Sequence, residues 1–347
     1  MTVEQIQFIG VIVLALFYSF TNGFQDGSSV CAAAIISRAA SPRKAVGFVA
    51  LCEILGALFG GSAVALSMQS ITSHPTNYGL LPVLISALVA AVSWNFLTRW
   101  WRLPSSSTHA LVGGIMGALY GEGGPQYINW GHVTSIWQAS GVMKVVMALF
   151  LSPLIGFVAG FMALVLLVIG LNHASMRAGK DLKVVQWLAT GLLAFGHGAN
   201  DPQKSMGVVM LAMHSMYGRS VHEIPLILRL ATGISIAMGV LALAPGIVKK
   251  VGAKIYKLRN VSAVATELAS ALVVVGGSLT GGPVSASQII SSSVVGVGTA
   301  VRPRRLGWMV VRDMLAAWCL TIPCSGMLAC GLHLLTSQVF NFAHHWK

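Results

Sequence analysis

Two blocks of this chain are each written twice, in the same order and at nearly the same spacing. "NGFQD" at 22–26 aligns with "HGAND" at 197–201, 175 positions further on. "PSSSTHALVGGIMG" at 104–117 aligns with "PVSASQIISSSVVG" at 283–296, 179 positions on. Matched blocks at almost constant offset imply two structural halves, 1–175 and 176–347, built on one plan. Whatever the chain folds into must be assembled from two similar units.

The sequence around the blocks says where those units sit. The chain is 55% hydrophobic and only 9% charged, where soluble proteins carry roughly 25% charged residues. Apolar stretches such as 143–171, 224–243 and 260–279 reach the ~20 residues that cross a bilayer. Spans are expected near 6–37, 45–68, 80–98, 104–120 and 141–170, then near 184–216, 224–245, 260–279, 284–300 and 308–335.

A formal charge of +13 could suggest nucleic acid, but its placement argues otherwise. Sixteen of the 22 Lys and Arg fall in short clusters between spans: Arg38, Arg43 and Lys44; Arg99 and Arg102; Arg177, Lys180 and Lys183; Lys249, Lys250, Lys254, Lys257 and Arg259; Arg302, Arg304 and Arg305. The intervening connections are nearly free of positive charge, the pattern of the positive-inside rule. No nucleic-acid partner is expected, and the lipid bilayer takes that place.

The rule sets both termini outside, in what reads as a bacterial-type inner membrane. An odd number of crossings inverts the second half relative to the first. Each long first element also reads as two shorter helices, and each Ser-rich element as a re-entrant hairpin. Both changes together keep the basic clusters inside, so the count is about ten to twelve membrane segments. The expected fold class is thus an all-α polytopic membrane protein with two inverted-topology repeats forming one unit. "MTVEQIQ" lacks a basic leader region, so 5–21 is read as part of the mature fold. Cys31, Cys52, Cys319, Cys324 and Cys330 show no C-x-x-C spacing and read as packed thiols.

Inverted repeats with broken helices typify secondary transporters, whose site lies near the midplane where the repeats meet. Gly23 and Gly27 flank Asp26, and Gly198 and Pro202 flank Asp201, so breaks are expected at both acids. The Ser-rich elements open with Pro104 and Pro283, residues suited to a helix's first turn. A carboxylate at mid-bilayer costs at least ~2.5–3.5 kcal/mol, so Asp26 and Asp201 should face partners or water. Either they pair with a base to hold helices together, or they bind a small cation or proton.

The hydroxyls of Ser105, Ser106, Ser107, Thr108, Ser285 and Ser287 at helix N-termini favour an anion. The bland alternative is that small residues simply let helices approach. Gln25, Asn200 and Gln203 can donate or accept near the same point. Lys204 is read as neutralising the anion, or as pairing with Asp201 or another buried acid. Glu53 and Glu267 are candidate partners for Lys204, Arg229 or Arg312, and His109 reads as a hydrogen-bonding helix residue.

The four stretches 22–46, 103–117, 197–211 and 281–298 resemble, in order, the signature regions of the inorganic phosphate transporter (PiT) family. "HGAND-x-QK-x-MG" is the most specific of them, and the resemblance covers essentially the whole chain. It implies sodium- or proton-coupled phosphate uptake by alternating access, with no cofactor. It assigns Asp26 and Asp201 to cation coupling, with sodium, if used, on both; Asn22 and Ser29, in the same motif, are further candidates for the cation. It assigns Ser105, Ser106, Ser107, Thr108, Ser285 and Ser287 to phosphate, to which the reading of the residues adds Gln25, Asn200, Gln203 and Lys204 as candidates. The family's usual N-x-F-H-D-x-x-N reads here with Gln25 for the His and Ser29 for the Asn. That removes a group titrating near neutral pH and alters the cation site's reach.

The main alternative is a sulfate permease of the same fold. Phosphate at neutral pH keeps a proton to donate to a carboxylate, which sulfate lacks. A channel would need a continuous polar lining, and a hydrolase an acid–base set that is not evident. A scaffold leaves two buried acids unexplained. A homodimer stays open.

Overall fold

The computed structural model describes residues 1–73, 79–101, 105–135, 138–172, 178–218, 223–243, 258 and 260–344. Pro104, Arg102, Arg177 and the basic cluster from Lys249 to Arg259 lie outside the described residues.

Each of the ten expected spans coincides with a helix or a helix pair. These are α1 (Val3–Ile36), α2 (Pro42–Phe59) with α3 (Ala63–Gln69), α4 (Leu80–Trp100), α5 (Ser107–Gly123), α6 (Gly141–Gly170), α7 (Ala178–Tyr217), α8 (Leu226–Leu241), α9 (Asn260–Thr280), α10 (Ala286–Val301) and α11 (Trp308–His344). Five of them (α1, α4, α6, α9 and α11) are long and apolar enough by themselves to cross a membrane, and the α2–α3 pair makes six. A short hairpin of Val133–Ser135 with Gln138–Ala139 sits in the α5–α6 connection.

The helices do not break where Asp26 and Asp201 predict. α1 runs unbroken for 34 residues and α7 for 40, roughly 51 and 60 Å at 1.5 Å per residue. Pro202 deprives the Gly198 carbonyl of its usual donor, yet packed neighbours let a helix continue through such a position. The break falls between α2 and α3, which bend by 69° across Gly60, Gly61 and Ser62. Gly61 has φ +83, which favours glycine. Pro283 is not in a first turn either. It lies in an unwound stretch, 282–285, with Ser285 as the N-cap and α10 starting at Ala286.

Packing pairs the halves crosswise. α1 lies against α8 and α7 against α2; α5 lies against α11 and α10 against α6. Glycines set these approaches. A Cβ on Gly198 would land on the Glu53 carbonyl oxygen, and one on Gly56 on that of Phe195. At the symmetry-related contact of α1 with α8, Gly23 faces the Ile236 carbonyl in the same way, and Gly239 that of Phe20.

A polar layer crosses the apolar core at one level. Along α1, Val11, Ala15 and Tyr18 join one apolar cluster and Val30, Cys31 and Ile35 a second. Between them Ser19, Thr21, Asn22, Asp26 and Ser28 are buried. Along α7, Leu193 and Ala194 join the second cluster and Met206 to Ala212 the first, with polar 197–205 between.

Candidate functional site

Two helix starts meet in that layer. Ser106, N-cap of α5, and Ser285, N-cap of α10, are repeat equivalents, and their hydroxyls are 2.9 Å apart. Their followers also meet: the Gln288 amide lies 3.3 Å from His109 Nδ1, again a pair at offset 179. The pseudo-twofold relation between the halves therefore passes through this point. Each helix N-terminus carries about half a positive charge from its dipole, so the two ends together favour an anion. The Ser106 hydroxyl caps the His109 amide at 3.2 Å, whereas Ser285 makes no side-chain cap, leaving the first α10 amides without one.

The buried acids lie beside these starts. Asp26 Oδ2 accepts from the Ser107 hydroxyl at 3.0 Å. Asp201 Oδ1 takes the Lys204 ammonium, which also donates to Thr108 Oγ1 at 2.6 Å and to the Val284 carbonyl at 2.7 Å. Val284 belongs to the unwound stretch before α10, so its carbonyl is free to be shared. Lys204 has no exposed surface, and its three N–H donors meet three oxygens.

Behind Asp201 stands His197, whose Nδ1 is 2.6 Å from Glu53 Oε1. Its Nε2 is 3.0 Å from Asp201 Oδ2 but not aligned as a hydrogen bond. An imidazole nitrogen facing a carboxylate is attractive only with a proton on it or a cation between. Donor atoms of Asp26, His197 and Asp201 all lie within 4.8 Å of one another and are buried. Both polar atoms of Asn22 are also buried without a protein partner, and Asn22 is one helical turn from Asp26, on the same face. Buried polar atoms are ordinarily paired, so these orphans mark where a ligand fits.

The remaining sequence candidates divide. Gln25 donates to Ser105 Oγ and its carbonyl at 3.1 and 3.3 Å, and Thr98 Oγ1 lies 2.6 Å from the same serine. Asn200 ties α7 to α9 through Ser278 Oγ (3.2 Å) and the Gly282 carbonyl (3.0 Å), leaving its own oxygen unpartnered. Ser287 lies 3.3 Å from Ser285.

Gln203 is occupied elsewhere. Its oxygen accepts the Val64 and Ala65 amides at 2.9 and 3.2 Å, and its nitrogen donates to the Gly60 and Ala199 carbonyls at 2.9 and 2.6 Å. It thus caps α3 from across the molecule and latches the α2–α3 bend. Ser29 is also apart: it lines a small cavity of about 20 Å³ beside Glu267.

One contributor, His197, was not singled out from the sequence, although its i, i+4 spacing to Asp201 made it legible. Glu53 was a candidate, but its pairing with His197 was not legible, because only the glycine contact of α2 with α7 brings the two together. The partners expected for Glu53 and Glu267 are replaced. Glu53 takes His197, and Glu267 takes Gln186 and Thr190 Oγ1, the latter at 2.7 Å. Arg229 donates to the Leu58 carbonyl at 3.0 Å, and Arg312 pairs with Asp313.

Known proteins share this arrangement of segments. The profile of PHO4, the phosphate transporter family, matches residues 22–179 and 170–329. A protein of Bacillus subtilis described as a "probable low-affinity inorganic phosphate transporter" is 31% identical, over 95% of this chain and 97% of its own length. One of Rhizobium meliloti with the same description is 31% identical, over 92% and 94%. A solved structure titled "The sodium-dependent phosphate transporter" superimposes with TM-score 0.86 at 22% identity, covering 96% of this chain and 99% of that one.

Proposed function

Because the chain belongs to the phosphate transporter family, we propose that it imports inorganic phosphate in symport with sodium or protons, by alternating access. The observation that carries this reading is the meeting of two helix N-termini at Ser106 and Ser285 beside two buried acids. The helix ends and hydroxyls of Ser105, Ser106, Ser107, Thr108, Ser285 and Ser287 attract the anion. Asp26 and Asp201 attract the cation, whose charge offsets their repulsion of phosphate. Asn22 and His197 complete the cation's surroundings, and Gln203 acts through the α2–α3 latch. Binding anion and cation together lowers the desolvation cost of both, which is the physical basis of coupling.

The two repeats, 1–175 and 176–347, rock about this shared point, with basic loops on the cytoplasmic side and both termini outside. The site holds phosphate over sulfate through the proton that phosphate retains, which can be donated to a carboxylate oxygen. The test is labelled-phosphate uptake into potassium-loaded vesicles, with inward sodium and proton gradients imposed separately. Gradient-driven accumulation is expected. Accumulation of sulfate but not phosphate overturns the reading.

A further inference from the structure

The two halves match in backbone but not in charge. Position 204 in the second repeat corresponds to position 29 in the first, at the same offset that relates Asp201 to Asp26. One carries a lysine and the other a serine. Around Lys204 Nζ stand a carboxylate oxygen of Asp201, the Thr108 hydroxyl and the unwound Val284 carbonyl. A carboxylate, a hydroxyl and a carbonyl freed from a helix are what a small hard cation takes for its shell. Asp26, by contrast, pairs with no lysine or arginine among the described residues, and the Asn22 atoms one turn away have no partner.

We propose that the Lys204 ammonium is a tethered cation filling the second repeat's cation cage, so that only the Asp26 side exchanges a cation during transport. This rests on the symport reading above. Asp201 then has divided duties. Its Oδ1 holds the resident ammonium, while its Oδ2 faces His197, in the Asp26, His197 and Asp201 cluster where the exchangeable cation binds. One fixed positive charge stays beside the phosphate site throughout the cycle. One fewer cation per phosphate needs to be drawn from solution than in a chain where both cages are open.

The experiment replaces the lysine by the residue of the other half, Lys204→Ser, with Lys204→Arg as the variant that keeps the charge. Purified proteins are heated in sodium chloride and in choline chloride, and phosphate uptake is measured against sodium concentration in vesicles. In the Ser variant sodium enters the vacated cage. Its unfolding midpoint should rise with sodium more than that of the native protein, and the Hill slope for sodium should increase by about one. The Arg variant should show neither change.

Equal sodium response in native protein and Ser variant overturns the proposal. A Ser variant recoverable only in sodium chloride supports it. One recoverable in neither salt overturns it, because the cage then needs more from lysine than its charge. The stability measurement requires no transport. Failure of the native protein to carry phosphate would therefore sink the functional reading, while the sodium shift still decides this one.

Discussion

Asp26 and Asp201 are equivalent by sequence, yet the same substitution should have unequal consequences at the two. Asp201→Asn keeps the shape and removes the charge. Lys204, fully buried, then has only neutral oxygens around it, those of Thr108, Val284 and the new amide. Stripping one partner from a buried ion pair costs about 3–5 kcal/mol, because the other charge stays buried without compensation. Asp26→Asn still offers an oxygen to the Ser107 hydroxyl, and its cost should stay within about 1 kcal/mol. The gap of roughly 2–4 kcal/mol corresponds to about a thirty- to thousand-fold difference in the folding equilibrium.

Unfolding in mixed detergent micelles, followed by the fluorescence of the nine tryptophans, measures both variants. Adding Lys204→Met to Asp201→Asn removes the stranded charge. The double variant should recover about 2 kcal/mol or more relative to the sum of the singles. Coupled uptake should be lost in both Asp variants. Equal stability losses at 26 and 201, or an additive double-mutant cycle, would refute the assignment of Lys204 as the partner of Asp201.

Three further outcomes follow from the packing. Gly198→Ala drives a methyl into the Glu53 carbonyl, so it should abolish the monodisperse folded peak in detergent chromatography; Gly47→Ala, with nothing within 4 Å, should leave that peak unchanged. Gln203→Ala strands the Val64 and Ala65 amides at the start of α3. It should cost about 1–3 kcal/mol in micelle unfolding and expose the 60–62 bend to proteolysis. Ser106→Ala removes a working N-cap as well as the hydrogen bond to Ser285 and should cost about 2 kcal/mol, whereas Ser285→Ala removes that hydrogen bond but no cap and should cost about 1 kcal/mol. Both should raise the KM for phosphate, measured by uptake at saturating cation.

Helix positions were readable because membrane helices announce themselves by apolar length, and all ten expected spans have counterparts. The kinks were misplaced because Pro202 and Gly23 were read as local breakers. In a packed bundle, however, a helix can carry a proline when neighbours surround it. Gly23 is needed for close approach to Ile236, not for a bend. The real bend had its own signal in the adjacent Gly60 and Gly61. Within the site, the meeting of Ser106 with Ser285 was implicit in their symmetric positions. The Glu53–His197 contact spans 144 positions and depends on which helices touch, which no local pattern encodes.

The crosswise glycines explain how a symmetric frame tolerates an asymmetric site. Gly56 and Gly198 hold α2 on α7, and Gly23 and Gly239 hold α1 on α8, so backbone geometry is matched while side chains are free to diverge. They have diverged consistently. Glu53, whose carbonyl meets Gly198, corresponds to Ile236, whose carbonyl meets Gly23. His197 corresponds to Asn22, and Lys204 to Ser29. The second half therefore supplies His197, Asp201 and Lys204, with the lysine on Asp201 Oδ1 and with Glu53 of the first half reaching His197 across the α2–α7 contact. The other supplies Asp26 and an unpartnered Asn22. A carboxylate already neutralised by a lysine gains little by binding an ion, and one held by a hydroxyl alone gains much. These are the grounds for proposing the first repeat as the half that exchanges its cation, with the "HGANDPQK" half holding the fixed charge against which that exchange is felt.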